Sequence, residues 1–262
     1  MMRPALAFAA ASLAVAACAP ASSHQAGSDE IAPRPSPIIP SMPRQRIVLM
    51  SSLPLVYGAG VDMSAVIAGK ANPHPLHRAL QDAHDLVVAD MLDAPTLQGA
   101  RLAILVQPRV LAPQELVALD AYVRGGGRLV LFADPMLEWP RSAGLADAQG
   151  PSRSSLISPL LSHWGLELVD PGIEALRLGR SGPLMIHPGQ FRVRLGKTGD
   201  AACRLESSGH VARCRVGRGF AALVADADLL DPDILEKPDE SARANRAWVR
   251  DLIARVASED SS

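Results

Sequence analysis

Two aspartates, Asp226 and Asp228, directly follow an apolar run in the stretch VADADLLDP. Two carboxylates at such a position could bind a cation or act as a general acid and base. They could also accept hydrogen bonds from turn amides and cap the next helix, as aspartates often do at the ends of strands, and we favour this second role. Asp134, which precedes Pro135 at the end of another apolar run, has the same two roles open to it.

Three histidines and two aspartates are close together in the sequence and form a candidate metal site: His74, His77, His84, Asp82 and Asp85. His74 lies between two prolines, while His77 and His84 are seven residues apart on a predicted helix. Neither arrangement gives the one-turn spacing of paired zinc ligands on a helix. We therefore predict solvated histidines near the helix ends, and no metal site.

The sequence lacks the common motifs of catalytic and nucleotide-binding loops. It contains no G-x-S-x-G, no G-x-x-x-x-G-K-[ST] and no H-E-x-x-H. Its glycine run, residues 125–127, comes before a predicted strand, whereas a phosphate-binding loop lies between a strand and a helix. We predict neither a catalytic residue nor a cofactor.

Short aliphatic runs alternate with helical patterns along the chain and would position these residues. Continuous apolar runs of this length are typical of strands buried on both faces. We predict strands at 46–52, 86–89, 102–107, 128–133 and 220–225, and helices at 75–83, 113–124, 154–164 and 244–256. Such alternation favours right-handed crossovers and a parallel sheet. The predicted fold is therefore a Rossmann-like α/β domain over residues 46–257, with helices on both faces and an antiparallel, β-rich insertion at 166–216 whose hairpins are added to the sheet.

Ligands of open α/β sheets bind at the carboxyl ends of the strands. This rule brings polar and aromatic residues from four predicted strand ends to one possible cleft: Ser51, Ser52, Gln107, Arg109, Asp134, Trp139, Asp226 and Asp228.

Residues 1–17 have the pattern of a secretory signal peptide, with an early arginine and a 14-residue apolar run. That run is shorter than the roughly 20 residues that a bilayer-spanning helix needs. It ends in Val-Ala-Ala before Cys18, which resembles a bacterial lipobox and implies a lipid on Cys18; a plain secretory cleavage site is the alternative. In lipoproteins, Ala19 would favour the periplasmic face of the outer membrane. Residues 18–45, which contain six prolines, are predicted to be a disordered tether, and 258–262 a disordered tail.

Cys203 and Cys214 remain as an even pair once Cys18 is assigned to lipid. Counting outward from a hairpin centred on residues 208–209 places the two cysteines opposite each other, within the Cα separation that a disulfide requires. The periplasm is oxidising enough to form the bond. We predict a structural disulfide; two reduced cysteines, or an incomplete metal pair, are the alternatives.

Charge and composition exclude several classes of protein. The 26 basic and 27 acidic residues give a formal net charge of -1, which offers no basic surface for nucleic acid. Hydrophobic residues make up 48% of the chain and charged residues 20%, a composition that can bury a core and is unlike that of disordered proteins.

Several stretches together resemble the soluble domain of the GldG-like auxiliary proteins of uncharacterised ABC transport systems. They are LAILVQPRVLAPQELVALDAYVRGGGRLVLFADP, GRGFAALVADADLL, ANRAWVRDLI, MSSLPLVYG and LISPLLSHWGL. The resemblance covers about residues 46–257 and implies a flavodoxin-like sheet, similar to class I glutamine amidotransferases and ThuA-like proteins. Amidotransferases carry a nucleophilic cysteine after a central strand, where this chain has Asp134-Pro135, so the resemblance implies a scaffold without that nucleophile. Longer family members end in a transmembrane helix, which the lipid would replace here.

Three functions remain open at the level of the sequence. The first is a non-catalytic periplasmic lipoprotein that serves an ABC-type transport or envelope system, whose ATPase and permease are other chains. The second is a ThuA-like hydrolase or saccharide-binding protein that uses Asp134, Asp226 or Asp228, with Trp139 as a lid. The third is a structural protein of the envelope without a ligand.

Overall fold

The computed structural model describes residues 44–58, 61, 63–139, 151–194 and 201–259. The predicted signal peptide, Cys18, most of the predicted tether and the last three residues lie outside this part. The strands are β1 (Arg46–Ser51), β2 (Asp85–Val88), β3 (Leu102–Val106), β4 (Arg128–Phe132), β5 (Leu166–Val169), β6 (Ala175–Arg177), β7 (Leu184–Ile186), β8 (Gln190–Val193), β9 (Ala202–Glu206), β10 (Val211–Val216) and β11 (Gly219–Val224). The helices are α1 (Met63–Ile67), α2 (Pro75–Ala83), α3 (Ala94–Leu97), α4 (Pro113–Arg124), α5 (Ser158–His163), α6 (Pro232–Leu235) and α7 (Glu240–Ser258).

A seven-stranded sheet in the order β2-β1-β3-β4-β11-β10-β9 forms the centre of the fold. The first five strands in this order are parallel, and β10 and β9 continue the sheet antiparallel. Every residue of β3, β4 and β11 is buried, which explains why these strands are continuous aliphatic runs. The predicted α/β fold with a mostly parallel sheet is confirmed.

Helices cover both faces of the sheet, and alternate strand residues point to the two resulting cores. Along β1, Ile47 and Leu49 pack into the core that α2 and α7 cover, while Val48 and Met50 pack into the core beneath α3, α4 and α5. This alternation follows from the two-residue repeat of a strand. The carboxyl ends of the parallel strands therefore form one edge of the sheet, between two helical layers.

The β-rich region differs from the prediction in its pairing. Only β9 and β10 join the main sheet; β5 pairs with β8, and β6 with β7, as separate two-stranded sheets. The expectation that all the hairpins extend the main sheet is wrong for these four strands. The pairing of β5 with β8 skips two intervening strands, so local turn signals could not reveal it.

A disulfide joins Cys203 and Cys214 across β9 and β10, in the register expected from the sequence. The two residues are direct cross-strand partners, and their Cα atoms are 4.0 Å apart. The bond fastens β9, the edge strand, to the body of the sheet.

Two helices differ from their predicted bounds. The predicted helix at 154–164 is only α5, because Pro159 fits the first turn of a helix but not its interior. Helix α7 begins earlier than predicted, where Asp239 Oδ1 accepts a hydrogen bond of 2.8 Å from the Ala242 N–H and caps the helix. Within the described ranges, every helix is too short or too polar to cross a membrane.

Candidate functional site

Asp134 and Asp226 occupy equivalent positions at the carboxyl edge of the sheet. Each lies two residues beyond the end of its strand, β4 or β11, and these strands pair in parallel with Phe132 opposite Val224. Asp228 follows on the loop after β11, in a short 3-10 turn. All three aspartates are buried, with at most 2% of their surface exposed. The structure therefore brings together the three carboxylates that the sequence singled out.

Backbone amides of neighbouring loops donate to these carboxylates. Asp134 accepts from the Met136 N–H at Oδ1 (2.8 Å) and from the Ala227 N–H at Oδ2 (3.0 Å). Asp228 accepts from the Glu138 N–H at Oδ2 (2.8 Å). The loop after β4 and the loop after β11 therefore each donate a hydrogen bond to an aspartate of the other. The two aspartates thus hold these loops against each other.

Asp226 connects the same edge to the small sheet of β6 and β7. Its Oδ1 accepts from the Leu229 N–H and its Oδ2 from the Ile186 N–H, each at 2.8 Å. Asn245 on α7 reinforces this connection: it accepts from the Leu184 N–H at 2.8 Å and donates to the carbonyls of Leu184 and Leu229. Sequence reasoning missed Asn245, although a polar residue on the apolar face of the last helix was a visible signal.

Burial raises the pKa of all three carboxyl groups. It raises the pKa of Asp134 to about 6, against the opposing effect of the amides that donate to it. Burial, and then the charge of Asp134, raises the pKa of Asp228 to about 7. The same two causes raise the pKa of Asp226 well above its ordinary value. The cluster therefore retains protons at a pH where exposed aspartates have none.

One carboxylate oxygen in the cluster differs from the others. Asp228 Oδ1 is buried and has no hydrogen-bond partner among the described residues. A buried oxygen without a donor is more easily accommodated when its carboxyl group is protonated, which agrees with the raised pKa of Asp228.

Gln107 links this cluster to the ends of β1 and β3. The residue is fully buried and has a φ of 40°, in the left-handed region. Its Oε1 accepts from the Asp134 N–H at 2.9 Å, and its Nε2 donates to the carbonyls of Asp134 (3.1 Å) and Ser152 (3.0 Å). The Ser52 hydroxyl donates to the Gln107 carbonyl. Ser52, Gln107 and Asp134 therefore form one hydrogen-bonded chain along the sheet edge.

The side chain of Arg109, another residue predicted to line the cleft, pairs with Glu115 of α4. Its guanidinium binds both carboxylate oxygens of Glu115, at 2.8 and 2.9 Å, and it also donates to the Asp90 carbonyl. Glu115 additionally accepts from the N–H groups of Leu92 and Ala112. The hydrogen bonds from Arg109 are the largest cause that lowers the Glu115 pKa to about 2. Arg109 thus fastens the loop after β3 to α4.

Trp139 is buried beside His74, with ring centroids 5.8 Å apart, rather than exposed as a lid. His74 Nδ1 accepts from the Leu76 N–H and caps α2, and Nε2 lies 2.7 Å from the Leu230 carbonyl. Burial lowers the pKa of His74 to about 4, so the ring is neutral at physiological pH. Both rings line a cavity of about 190 Å³.

The expectation of solvated histidines is wrong for His74 and His77, which are 3% and 6% exposed. The buried Nε2 of His74 lies against the carbonyl of Leu230, 156 residues further along the chain. Within the described part of the chain, no group of three or more His, Cys, Asp or Glu side chains is arranged to hold a metal ion.

The fold is that of a Rossmann-like α/β domain. Its own polar side chains fill the edge formed by the carboxyl ends of the parallel strands, where such domains bind ligands. Residues 44–176 match the sequence family described as "ABC-type uncharacterized transport system", an auxiliary family of such systems. The match covers just over half of the 262 residues. The chain belongs to this family. No curated protein matches it in sequence.

Several solved structures align with most of this chain at low sequence identity. An exo-β-1,4-mannosidase from Opitutaceae bacterium strain TAV5 aligns with 83% of this chain at 15% identity and a TM-score of 0.47. A cytoplasmic protein from Salmonella typhimurium LT2 aligns with 81% of this chain and 99% of its own length, at 10% identity and a TM-score of 0.44. A ThuA-like protein from Bacteroides uniformis aligns with 82% of this chain and 95% of its own, at 9% identity and a TM-score of 0.39. This chain spans only 37% of the mannosidase's length.

Proposed function

We propose that this protein is a non-catalytic component of an ABC-type transport system, attached by a lipid to the periplasmic face of the outer membrane. The ATPase and the permease are other chains. The observation that carries the proposal is the family match over residues 44–176. The protein contributes a rigid surface on which other components of the system assemble.

The bonding of the aspartates supports a non-catalytic role. Five of the six carboxylate oxygens of Asp134, Asp226 and Asp228 accept a backbone N–H of this chain. A general acid, general base or metal ligand needs an oxygen that reaches the substrate or the ion. Here five of the six oxygens are committed to loop amides, so these carboxylates contribute to the shape of the sheet edge.

The lipid anchor is proposed from the sequence around Cys18. Val15, Ala16 and Ala17 precede this cysteine at the end of the apolar run, and Ala19 follows it. A single acyl chain binds a membrane only marginally, whereas several chains on one residue give a stable anchor. A lipidated Cys18 would keep the domain at the periplasmic face of the outer membrane.

Purification from solubilised envelopes tests this function. A C-terminally tagged wild-type chain should retain an ABC-type permease and ATPase in several mild detergents. The Cys18→Ala variant should leave the membrane fraction and retain much less of both. A wild-type chain with a lipidated amino terminus that retains no transport component in any detergent would contradict the proposal. Retention of other envelope proteins in their place would favour a structural protein of the envelope.

A second function is favoured by the Oδ1 atom of Asp228, which has no partner among the described residues. With a pKa of about 7, this carboxyl could exchange a proton near neutral pH, as the general acid or base of a ThuA-like hydrolase would, and its free oxygen could accept from a hydroxyl group in a saccharide-binding protein. A metal and saccharide binding screen of the wild type, Asp226→Ala and Asp228→Ala separates the two functions. Binding that both substitutions abolish, in folded protein, would favour this second function; no binding by any of the three would exclude it.

A further inference from the structure

A groove of about 470 Å³ lies between α2 and α7, on one face of the molecule. Val249 and Ile253 of α7 are buried and form part of its floor. Its walls include Ala79 and Ala83 of α2 and Ala254 of α7, all of which are exposed to solvent. An apolar depression with exposed alanines at its sides leaves room for larger aliphatic side chains from another molecule.

The groove has the length of a short helix. On α7 the lining residues recur every three or four positions from Arg246 to Ala257. They form a stripe about 17 Å long at 1.5 Å per residue. On α2 the lining residues extend from Pro75 to Ala83, the whole helix. Two helix flanks with small side chains between them form a surface onto which the ridge of a third helix can pack.

The ionisable groups that line this groove are basic. His84, Arg246 and Arg250 are the ionisable residues that line it, and none of the lining residues is acidic. Arg246 donates to the Leu235 carbonyl, which holds its guanidinium at the wall. The Arg250 side chain is 74% exposed and forms an ion pair with its neighbour Asp251; exposed pairs of this kind are weak and can exchange partners.

We propose that this groove binds one amphipathic helix of another protein chain, with aliphatic residues along the docked face and Asp or Glu beside them. Apolar residues at spacings of three and four would fill the space above Val249 and Ile253. The acidic side chains would pair with Arg246 and Arg250. The inference rests on the proposed function, because an accessory component must contact another chain of the transport system.

The openness of the groove favours a helix over an acyl chain. Pockets for small molecules enclose most of the surface of their ligand. Here the wall residues Ala79, Ala83 and Ala254 are themselves exposed, so an acyl chain would remain partly in water. A docked helix buries one face and keeps its polar face in solvent, which matches an open groove.

Peptide binding to the purified full chain tests the chemistry of the groove. The probe is a fluorescein-labelled 18-residue helical peptide with leucines along one face and glutamates beside them; a matched peptide has lysines in place of the glutamates. In fluorescence anisotropy, the acidic peptide should bind at least tenfold more tightly than the basic one. Ala254→Glu should weaken its binding at least tenfold, and Ala254→Ser should leave it nearly unchanged.

Val117→Glu provides a control, since Val117 is an exposed apolar residue of α4, in the other helical layer. It should not change peptide binding, and thermal melts confirm that all the variants fold. Equal affinity for the two peptides, or no effect of Ala254→Glu, would overturn the inference. The inference would also be overturned if the protein bound no peptide but bound vesicles of phosphatidylethanolamine and phosphatidylglycerol, and if Ala254→Glu abolished that vesicle binding.

Crosslinking in cells separates this inference from the proposed function. A photoreactive phenylalanine analogue at position 254 should crosslink to a chain of the co-purified transport system, and the same analogue at position 117 should not. If the transport components co-purify but crosslink only from position 117, the groove inference fails and the proposed function stands. If no component co-purifies, the proposed function itself fails.

Discussion

Asp134 Oδ2 accepts a hydrogen bond of 3.0 Å from the backbone N–H of Ala227. This bond joins the loop after β4 to the loop after β11, at the edge of the sheet where α/β proteins usually bind their ligands. A side chain that could have faced a ligand is thus bonded to its own chain. The same holds for Asp226 and for Gln107, so polar groups fill this edge from within.

Replacing Asp134 by alanine should destabilise the fold. Asp134→Ala leaves the N–H groups of Met136 and Ala227 without their acceptor. At about 1–3 kcal/mol for each of these two buried groups left unpaired, the expected loss is about 2–6 kcal/mol in the free energy of unfolding. Urea denaturation at pH 5 measures this loss. The Asp134 carboxyl, with a pKa of about 6, is mostly protonated at that pH, so the substitution does not also remove a buried charge and regain stability in that way. Asp82→Ala, at an exposed position of α2, is the control and should change stability by less than about 0.5 kcal/mol.

Stability should fall as the pH rises from 6.5 to 8. The pKa of Asp228 is about 7 in the folded protein, above its ordinary value, so its contribution is complete at low pH and is lost as the pH rises through 7. His74 acts in the opposite sense at lower pH: its folded pKa is about 4, so its contribution is complete above pH 6.5 and is lost as the pH falls towards 4. Of these two groups, therefore, Asp228 is the one whose titration changes the stability between pH 6.5 and 8.

The Asp228→Asn variant isolates that effect. An asparagine can still accept from the Glu138 N–H but does not titrate. Near pH 6.5 the pH dependence of its unfolding free energy should be shallower than that of the wild type by about 1 kcal/mol per pH unit, and the variant should be the more stable of the two at pH 8. A wild-type profile that is flat or rising between pH 6.5 and 8, measured by urea denaturation at constant salt, would contradict the raised pKa.

Changing Gln107 to glutamate should also destabilise the protein. In Gln107→Glu an oxygen replaces the Nε2 atom that donates to the carbonyls of Asp134 and Ser152, so acceptors face acceptors in a buried site. We expect a loss of about 2–3 kcal/mol at pH 7.5. Gln98→Glu, an exposed site at the end of α3, is the matched change and should have little effect. Comparable losses in the two variants would show that the buried bonds of Gln107 contribute little.

Removing the disulfide should cost about 2–3 kcal/mol, since it closes a short loop. The double variant Cys203→Ser with Cys214→Ser should unfold at a lower urea concentration than the oxidised wild type. The reduced wild type should lose a similar amount of stability, which separates loss of the bond from the effect of the serines. If reduction leaves the wild-type transition unchanged, the bond does not stabilise the domain.

The sequence was sufficient to predict the central sheet and the edge of the candidate site. Strands β3, β4 and β11 are short, largely apolar runs, so their positions could be predicted to within a residue or two. The rule that parallel strands end at a common edge then predicts that Gln107, Asp134 and Asp226 lie together.

Contacts between residues far apart in the sequence could not be predicted. The His74 ring contacts the Leu230 carbonyl across 156 residues of sequence, and the pairing of β5 with β8 passes over two other strands. Arg109 was assigned to the cleft from its position after β3, but its side chain turns to Glu115, where it finds a bidentate partner. The direction of a long side chain depends on which partners the fold brings within reach.

Parallel purification of the wild type and Asp228→Asn from solubilised envelopes is the most direct test of the account. If the aspartates serve the fold and the protein assists a transport system by contact, both chains should retain the same amount of permease and ATPase per folded molecule, and transport should be unchanged. Retention of these components together with complete loss of transport in folded Asp228→Asn would contradict the account, because the carboxylate would then act in the chemistry of the system.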